Sequence, residues 1–343
     1  MTSATERPTL ATVAASAGVS VATVSKVVHG RVDVAPATRA RIQELLRQHE
    51  YVARRQPPAA DTVTIEVFFQ DELVAYSTEI LNGVLEAATD LGVNVVVSVR
   101  RPGEPKSEPA DWAHDIAIAG RTAAVAVTSV MSAADLKVLS RAHVPIVVID
   151  GLNMPHARVT SVGSTNFAGG VDATEHLISL GHRRIAHIAG PEAAAFTQAR
   201  MHGFRGAMHA AGIPVIEEFV RPEPATYDGG IASGTWLLDR PEPPTAIFAF
   251  CDEVALGAIE AARTLGLRVP EDLSVVGFDD HQMARVSSPR LTTVRQPLRQ
   301  MGAVALRSAA QLGVGAKLDY SHVELATELV IRDSTAPIGK DRR

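Results

Sequence analysis

Short apolar runs in this chain end on residues able to hydrogen-bond a small polar molecule: Gln70-Asp71, Thr128-Ser129, Asp150, Asp252 and Asp279-Asp280. Each carboxylate can accept two hydrogen bonds side by side, which suits the vicinal hydroxyls of a sugar or similar polyol. Phe167, Phe250 and Phe278 offer aromatic faces for the apolar side of a sugar ring. A second chemistry sits at the N-terminal end. Residues 1–60 hold eight Lys/Arg against four Asp/Glu, a net of +4, while the whole chain is at −5, leaving −9 on the remainder. A basic end can meet a polyanion, and Ser20, Thr23, Ser25 and Lys26 are donors suited to phosphate oxygens. Charge alone describes a solvated helix face equally well.

The elements that must position these groups are legible in outline. In open α/β sheets, ligands gather beyond the carboxyl ends of the strands. Apolar periodicity predicts strands over 63–69, 95–99, 123–128, 146–149, 185–188, 246–250 and 273–278, and helices over 78–91, 169–180, 199–211 and 253–265. Leu91-Gly92, Leu180-Gly181, Ala211-Gly212 and Leu265-Gly266 supply the helix stops. This βαβ rhythm predicts parallel sheets covered on both faces, with more units than one small sheet holds.

Ahead of this core, Thr9 can cap a helix whose Leu10, Val13, Ala14 and Ala17 share one face. Gly18 can reverse the chain in the left-handed region, and Ser20 can restart a helix over 21–28. A third helix follows Pro36, with Ile42, Leu45, Leu46 and His49 as its inward stripe. Two short helices around a tight glycine turn form a helix-turn-helix, which points to DNA.

Other chemistries find no carrier. Cys251 is the sole cysteine, which excludes an intrachain disulfide and a cysteine-based zinc site and leaves it as a small semi-buried hydrophobe. His176, His182 and His187 lack metal-ligand spacing, so no metal is expected. There is no Walker loop, complete G-x-G-x-x-G, G-x-S-x-G or metalloprotease helix, so neither an enzyme nor a cofactor is expected. No run of about 18 apolar residues and no secretory-signal pattern occurs, and the expectation is a cytoplasmic protein without a membrane partner.

The segment from Thr9 to Arg39, with Ala17-Gly18-Val19-Ser20, Thr23-Val24-Ser25-Lys26-Val27-Val28 and Thr38-Arg39, resembles the DNA-binding headpiece of the lactose-repressor (LacI/GalR) family. Gly169-Gly170, the segments 176–185, 200–204 and 269–280, and Ser288 through Pro297 resemble that family's effector-binding core, in order along the chain. The resemblance implies a small all-α headpiece followed by an α/β core of two periplasmic-binding-protein-like lobes with crossover connections. It places the headpiece at 1–56, a hinge at 57–62, the effector-binding and dimerisation core at 63–335, and a polar tail at 336–343. Lobe 1 is expected at about 63–162 and 294–321, and lobe 2 at about 163–293 and 322–335, with crossings near Gly163, Thr293 and His322.

The same resemblance implies an effector site built from Asp71, Tyr76, Ser129, Asn166, Phe167, Arg200, Asp252, Phe278 and Asp279, with Arg200 reaching into the cleft. It implies DNA contacts from Thr9, Ser20, Val21, Ala22, Thr23, Ser25, Lys26, His29, Thr38, Tyr51, Arg54 and Arg55. Some positions depart from the family pattern. Pro57-Pro58 stands where relatives have Ala-Arg and Ala60 where they have leucine, so a hinge helix that wedges and kinks the minor groove is expected to be weak or absent. Ala35 takes an N-cap position often held by serine, a change that costs about 1 kcal/mol elsewhere. Val21 and Ala22 offer apolar contacts suited to thymine methyls, leaving Lys26 as the main polar reader.

The expected function is a transcriptional regulator, a repressor that binds a pseudo-palindromic operator as a homodimer and answers to a sugar or glycoside. The alternative is a small-molecule-binding protein or activator without effector-released repression.

Overall fold

A computed structural model describes residues 9–28, 34–49, 63–70, 72–100, 111–152 and 159–339. Helices α1 (Leu10–Ala17), α2 (Val21–Val28) and α3 (Pro36–Gln48) make the headpiece. The Thr9 hydroxyl accepts from the Thr12 amide at 3.3 Å, and the Thr12 hydroxyl accepts from the Thr9 amide at 3.4 Å, so α1 starts in a reciprocal cap. Gly18 takes φ 66°, and the Val19 amide donates to the Ala14 carbonyl at 3.1 Å, which closes the helix end. The Ser20 hydroxyl accepts from the Thr23 amide at 3.1 Å and opens α2, which is bent 109° from α1. Val13, Val24, Val27, Ile42 and Leu46 form the buried core of this unit, and His49 ties α3 back to Ser16 through a 3.0 Å contact. Ala35 precedes α3, its carbonyl accepting from the Arg39 amide at 2.9 Å.

Lobe 1 comprises β1 (Thr64–Gln70), α4 (Ala75–Leu91), β2 (Asn94–Arg100), α5 (Asp111–Ile118), β3 (Ala123–Val127), α6 (Ala133–Arg141), β4 (Ile146–Ile149) and β5 (Thr160–Ser164). Lobe 2 begins with α7 (Asn166–Ser179), β6 (Ile185–Ala189), α8 (Ala195–Ala210), β7 (Val220–Pro222) and α9 (Tyr227–Leu238). It continues with β8 (Ala246–Ala249), α10 (Asp252–Thr264), β9 (Ser274–Asp279), α11 (Gln282–Val286) and β10 (Thr292–Arg295). The chain returns to lobe 1 for α12 (Leu298–Gly313) and β11 (His322–Leu325), then ends in lobe 2 with β12 (Glu328–Val330). The sheets run β11-β5-β4-β3-β1-β2 and β12-β10-β9-β8-β6-β7. Their pairings are parallel except for β10 with β12.

The crossings fall at Thr165, at Gln296-Pro297 and between Leu325 and Glu328. The expected crossings near Gly163, Thr293 and His322 lie inside β5, β10 and β11, and the lobe bounds shift with them. Each strand runs on until its last residue is paired, Ser164 with Leu325 and Arg295 with Asp279. Among the described residues no single helix is long and apolar enough to cross a membrane.

Helices on the two sheets meet through facing glycines. A Cβ on Gly83 would fall on the Arg299 carbonyl and one on Gly302 would sit 2.2 Å from the Ile80 oxygen, so α4 and α12 touch backbone to backbone. Gly170 and Gly203 do the same for α7 and α8, and Gly230 and Gly257 for α9 and α10. The middle pair sets the depth of the site, because a Cβ on Gly170 would lie 2.4 Å from the Arg200 carbonyl oxygen.

Candidate functional site

Arg200, on α8, is only 2% exposed and is held from several sides. Its Nε donates to Asn166 Oδ1 at 2.8 Å, and its Nη1 donates to the Phe250 carbonyl at 2.5 Å and lies 3.7 Å from Asp279 Oδ1. The guanidinium lies over the Phe278 ring, 3.7 Å from its centroid, a cation–π contact strengthened by burial. Asn166 is fixed in turn, its Nδ2 donating to the Ser164 carbonyl at 3.0 Å. Asp279 closes β9 at φ 116° and accepts from Gln296 Nε2 at 2.6 Å. Burial pushes its carboxyl well above the usual carboxylate range, with Arg200 pulling it down and Asp252 adding to the rise.

Lobe 1 presents a smaller cluster. Tyr76, in the first turn of α4, donates its hydroxyl to Asp150 Oδ2 at 2.6 Å. Asp150 follows β4 at φ 43°, and burial raises its carboxyl against the pull of the Tyr76 hydrogen bond and of Arg200. Burial and Asp150 raise the Tyr76 phenol, Asp279 adds to the rise, and Arg200 opposes it. The lobe 2 charges therefore act on lobe 1 across the cleft. Ser129, after β3, is buried and donates to the Val127 carbonyl at 2.8 Å, while Gln70 accepts from the Val130 amide at 2.8 Å. Phe167, in the first turn of α7, is 54% exposed.

Tyr76, Asn166, Arg200 and Asp279 are thus brought into one polar constellation. Two other expected effector contacts are not. Asp252 is committed inside lobe 2, Oδ1 accepting from the Thr293 hydroxyl at 2.6 Å and Oδ2 from the His281 amide at 3.1 Å. It braces α10 against β10 and α11, because its carboxylate faces the sheet from the first helical position. Phe278 is fully buried and serves as the platform beneath Arg200. Phe250 is likewise buried and contributes its carbonyl to Arg200. Asp71 lies outside the described residues.

Gln296 emerges as a site residue to which the sequence reading assigned no role. Its Oε1 accepts from the Ser164 hydroxyl at 2.5 Å while its Nε2 holds Asp279. It follows Leu291-Thr292-Thr293-Val294-Arg295, which is no apolar run, so the strand-end rule that singled out Asp279 does not reach it. The three histidines have separate partners. His182 bonds Thr245 and Ser274, His176 bonds Thr335, and His187 is stacked between Phe204 and Phe248.

On the headpiece, Val21, Ala22 and Lys26 stand exposed on one side of α2, while Val24, Val27 and Val28 turn inward. Ser20 and Thr23 share a 2.9 Å hydroxyl contact at the start of the helix. Thr9 is exposed, and Ser25 and Thr38 are half-buried. His29, Tyr51, Arg54, Arg55 and the segment with Pro57, Pro58 and Ala60 lie outside the described residues.

A helix-turn-helix joined to a two-lobed α/β core is a recurrent combination, and comparison with known proteins identifies it here. The pattern of bacterial regulatory proteins, lacI family, matches residues 9–53, and that of a periplasmic binding protein-like domain matches residues 174–335. The chain is 32% identical over 337 residues to the HTH-type transcriptional regulator DegA of Bacillus subtilis, spanning 97% of this chain and 99% of that protein. The chain belongs to the LacI family. Its architecture matches solved structures of that family over nearly its full length. The CelR–cellobiose complex shares 34% identity with a TM-score of 0.74, covering 96% of this chain and 100% of that one. The lac repressor dimer bound to operator and the anti-inducer ONPF shares 27% identity with a TM-score of 0.72 at the same coverage, 96% and 100%. As a member of the LacI family, the chain is a DNA-binding transcriptional regulator.

Proposed function

We propose that the protein is a repressor whose hold on a pseudo-palindromic operator is controlled by a small polyol bound between the lobes. The observation that carries this reading is the buried Arg200–Asn166–Asp279 constellation facing Tyr76 and Asp150 across the cleft. A fixed guanidinium and paired carboxyl groups suit a ligand rich in hydroxyls, and the relative solved with cellobiose has the same architecture. A ligand that prefers one arrangement of the lobes shifts the population between them, and so the spacing of the two headpieces in a dimer. A coupling of about 1–3 kcal/mol is typical of such control.

The homodimer is supported by apolar side chains left uncovered on both lobes. Leu73, Val74 and Leu85 are exposed around α4, next to Val97 and Val99 on the edge strand β2, and Met283 and Val286 are exposed on α11. On DNA, Ser20, Thr23, Ser25 and Lys26 serve phosphate and base contacts and Val21 with Ala22 the apolar ones, with Thr9, His29, Thr38, Tyr51, Arg54 and Arg55 around them. The Pro57-Pro58 hinge implies an operator bent less than in typical relatives, which a gel-phasing assay measures.

The deciding experiment is retardation of DNA from the upstream region of the protein's own coding sequence, with and without a panel of sugars and glycosides that includes cellobiose. Specific retardation released by one sugar supports the reading. Selective DNA binding that no polyol alters overturns the effector part of it.

A further inference from the structure

Asp279 and Asp280 are neighbours with different partners, and the second carboxylate does no work in the cleft constellation. Both stand at positive φ, 116° and 58°. The Asp280 side chain is sealed from solvent yet meets three guanidinium groups. Arg295 Nε lies 2.7 Å from Oδ2, Arg332 Nη2 lies 2.5 Å from Oδ1, and Arg285 Nη2 lies 3.4 Å from Oδ2.

These partners are not scattered. Arg295 is the last residue of β10, directly before the second crossing, and its Nη1 also reaches Glu328 Oε2 on β12 at 3.1 Å. Arg332 follows β12, at the end of that strand away from the third crossing. Its Nη1 donates to the Leu291 carbonyl at 2.7 Å and its amide donates to the Thr292 hydroxyl at 2.9 Å. One buried carboxylate therefore holds Arg295 at the second crossing directly, and β12 beyond the third crossing from both ends, through the Arg295–Glu328 pair at its start and Arg332 behind it. Asp279 reaches the same region from the cleft side, since Gln296 in the second crossing donates to it and accepts from Ser164 beside the first. Thr165 and Thr327 join the first and third crossings through a 2.9 Å hydroxyl contact. A groove of about 550 Å³ opens beside the cluster, with Glu79 and Arg299 from lobe 1 facing Asp280, His281 and Arg285 from lobe 2.

We propose that Asp280 is a positioning residue that clamps the second and third crossings to lobe 2, so that a ligand engaging Asp279 moves the crossings rather than a loop alone. Two consecutive non-glycine residues in the left-handed half of backbone space give that link little freedom. A buried carboxylate is retained where its partners are well placed, and Arg295 and Arg332 are. The ligand step rests on the effector reading given above, whereas the clamp does not.

Hydrogen exchange on the full chain without any ligand tests the clamp, comparing Asp280→Asn, Arg332→Gln and Arg285→Gln with the native protein. The amides of Thr165, Gln296 and Thr327 report the three crossings, each being hydrogen-bonded there. Asp280→Asn and Arg332→Gln should speed their exchange by about tenfold or more, with β3 and β8 unchanged. Arg285→Gln should match the native protein, since that side chain is 59% exposed and lies off the crossings. Unchanged exchange at the crossings in Asp280→Asn, or a rise shared equally by β8, overturns the proposal. Should Asp280→Asn fail to fold, Arg332→Gln decides by the same criterion. Because no effector is present, a failure of sugar release in the operator assay leaves this result standing, and the two readings are separable.

Discussion

On α2, Val21, Ala22 and Lys26 face solvent from a helix whose start is held by local hydroxyl contacts, whereas Arg200, Asn166 and Asp279 are buried and interlocked across α8, α7, β9 and the second crossing. The contrast follows from the partners. DNA brings its own dense negative charge and is met from outside by long, mobile donors, so the headpiece needs only a rigid frame beneath them. A small neutral ligand brings no such field, and its site gains from donors and acceptors fixed before it arrives. Substitutions should therefore separate cleanly: changes in the cleft should alter stability and effector response together, and changes on α2 should alter DNA affinity alone.

The largest expected effect is that of Arg200→Met. Removing one partner of a buried charged cluster typically costs about 3–5 kcal/mol, and sugar-dependent release should vanish while the effector-free protein still retards operator DNA. Urea denaturation and retardation on the same preparation measure both. Loss of DNA binding with unchanged stability would collapse the distinction between the two surfaces.

Acid should also act on the core rather than the headpiece. His187 is buried between Phe204 and Phe248, its Nδ1 engaged by the Phe248 carbonyl, and burial holds its imidazole down to about 4. The unfolded chain, titrating near ~6.5, binds the proton first, so this stability is complete above that pH and is lost as pH falls toward 4. The full loss is about 3 kcal/mol. His187→Leu should flatten the fall in core stability between those values, followed by thermal unfolding across pH, and an unchanged slope would assign the acid sensitivity elsewhere.

Lys26→Ala should weaken operator binding by about 1–3 kcal/mol and leave the unfolding of the core and the sugar response as they were. Smallest is Thr9→Ala, which removes the reciprocal cap on α1 and should cost about 1 kcal/mol, confined to the headpiece. Exchange of α1 amides against β8 amides locates that loss, and a drop shared with β8 would mean that the two units do not unfold separately.

Much of this was legible from residues alone. The span of α2 and the span of β4 agree with the periodicity, since alternating exposure or full burial marks such elements locally. β5, β7, β10, β11 and β12 lie outside the apolar runs read from the sequence. Thr160–Ser164 is small and polar, and His322–Leu325 and Glu328–Val330 are short and half-exposed, so no apolar run announces them. They are strands because a neighbour waits to pair with them, a fact held by the sheet and not by the segment.

The same division applies to the site. Sequence by itself determined the headpiece, the parallel sheets and the strand ends from which polar groups emerge, because capping, turn glycines and apolar period act over a few neighbouring residues. It could not determine which way each of those groups faces. Asp252 and Asp279 both follow or close apolar strands, yet one braces Thr293 and His281 inside lobe 2 and the other meets Arg200 and Gln296. The choice depends on partners 17 to 41 residues apart for Gln296 and Thr293, brought together by sheet order and by crossings. Only the tertiary structure assembles those contacts, since hydrogen bonding to a buried carboxylate depends on spatial proximity that no local pattern encodes.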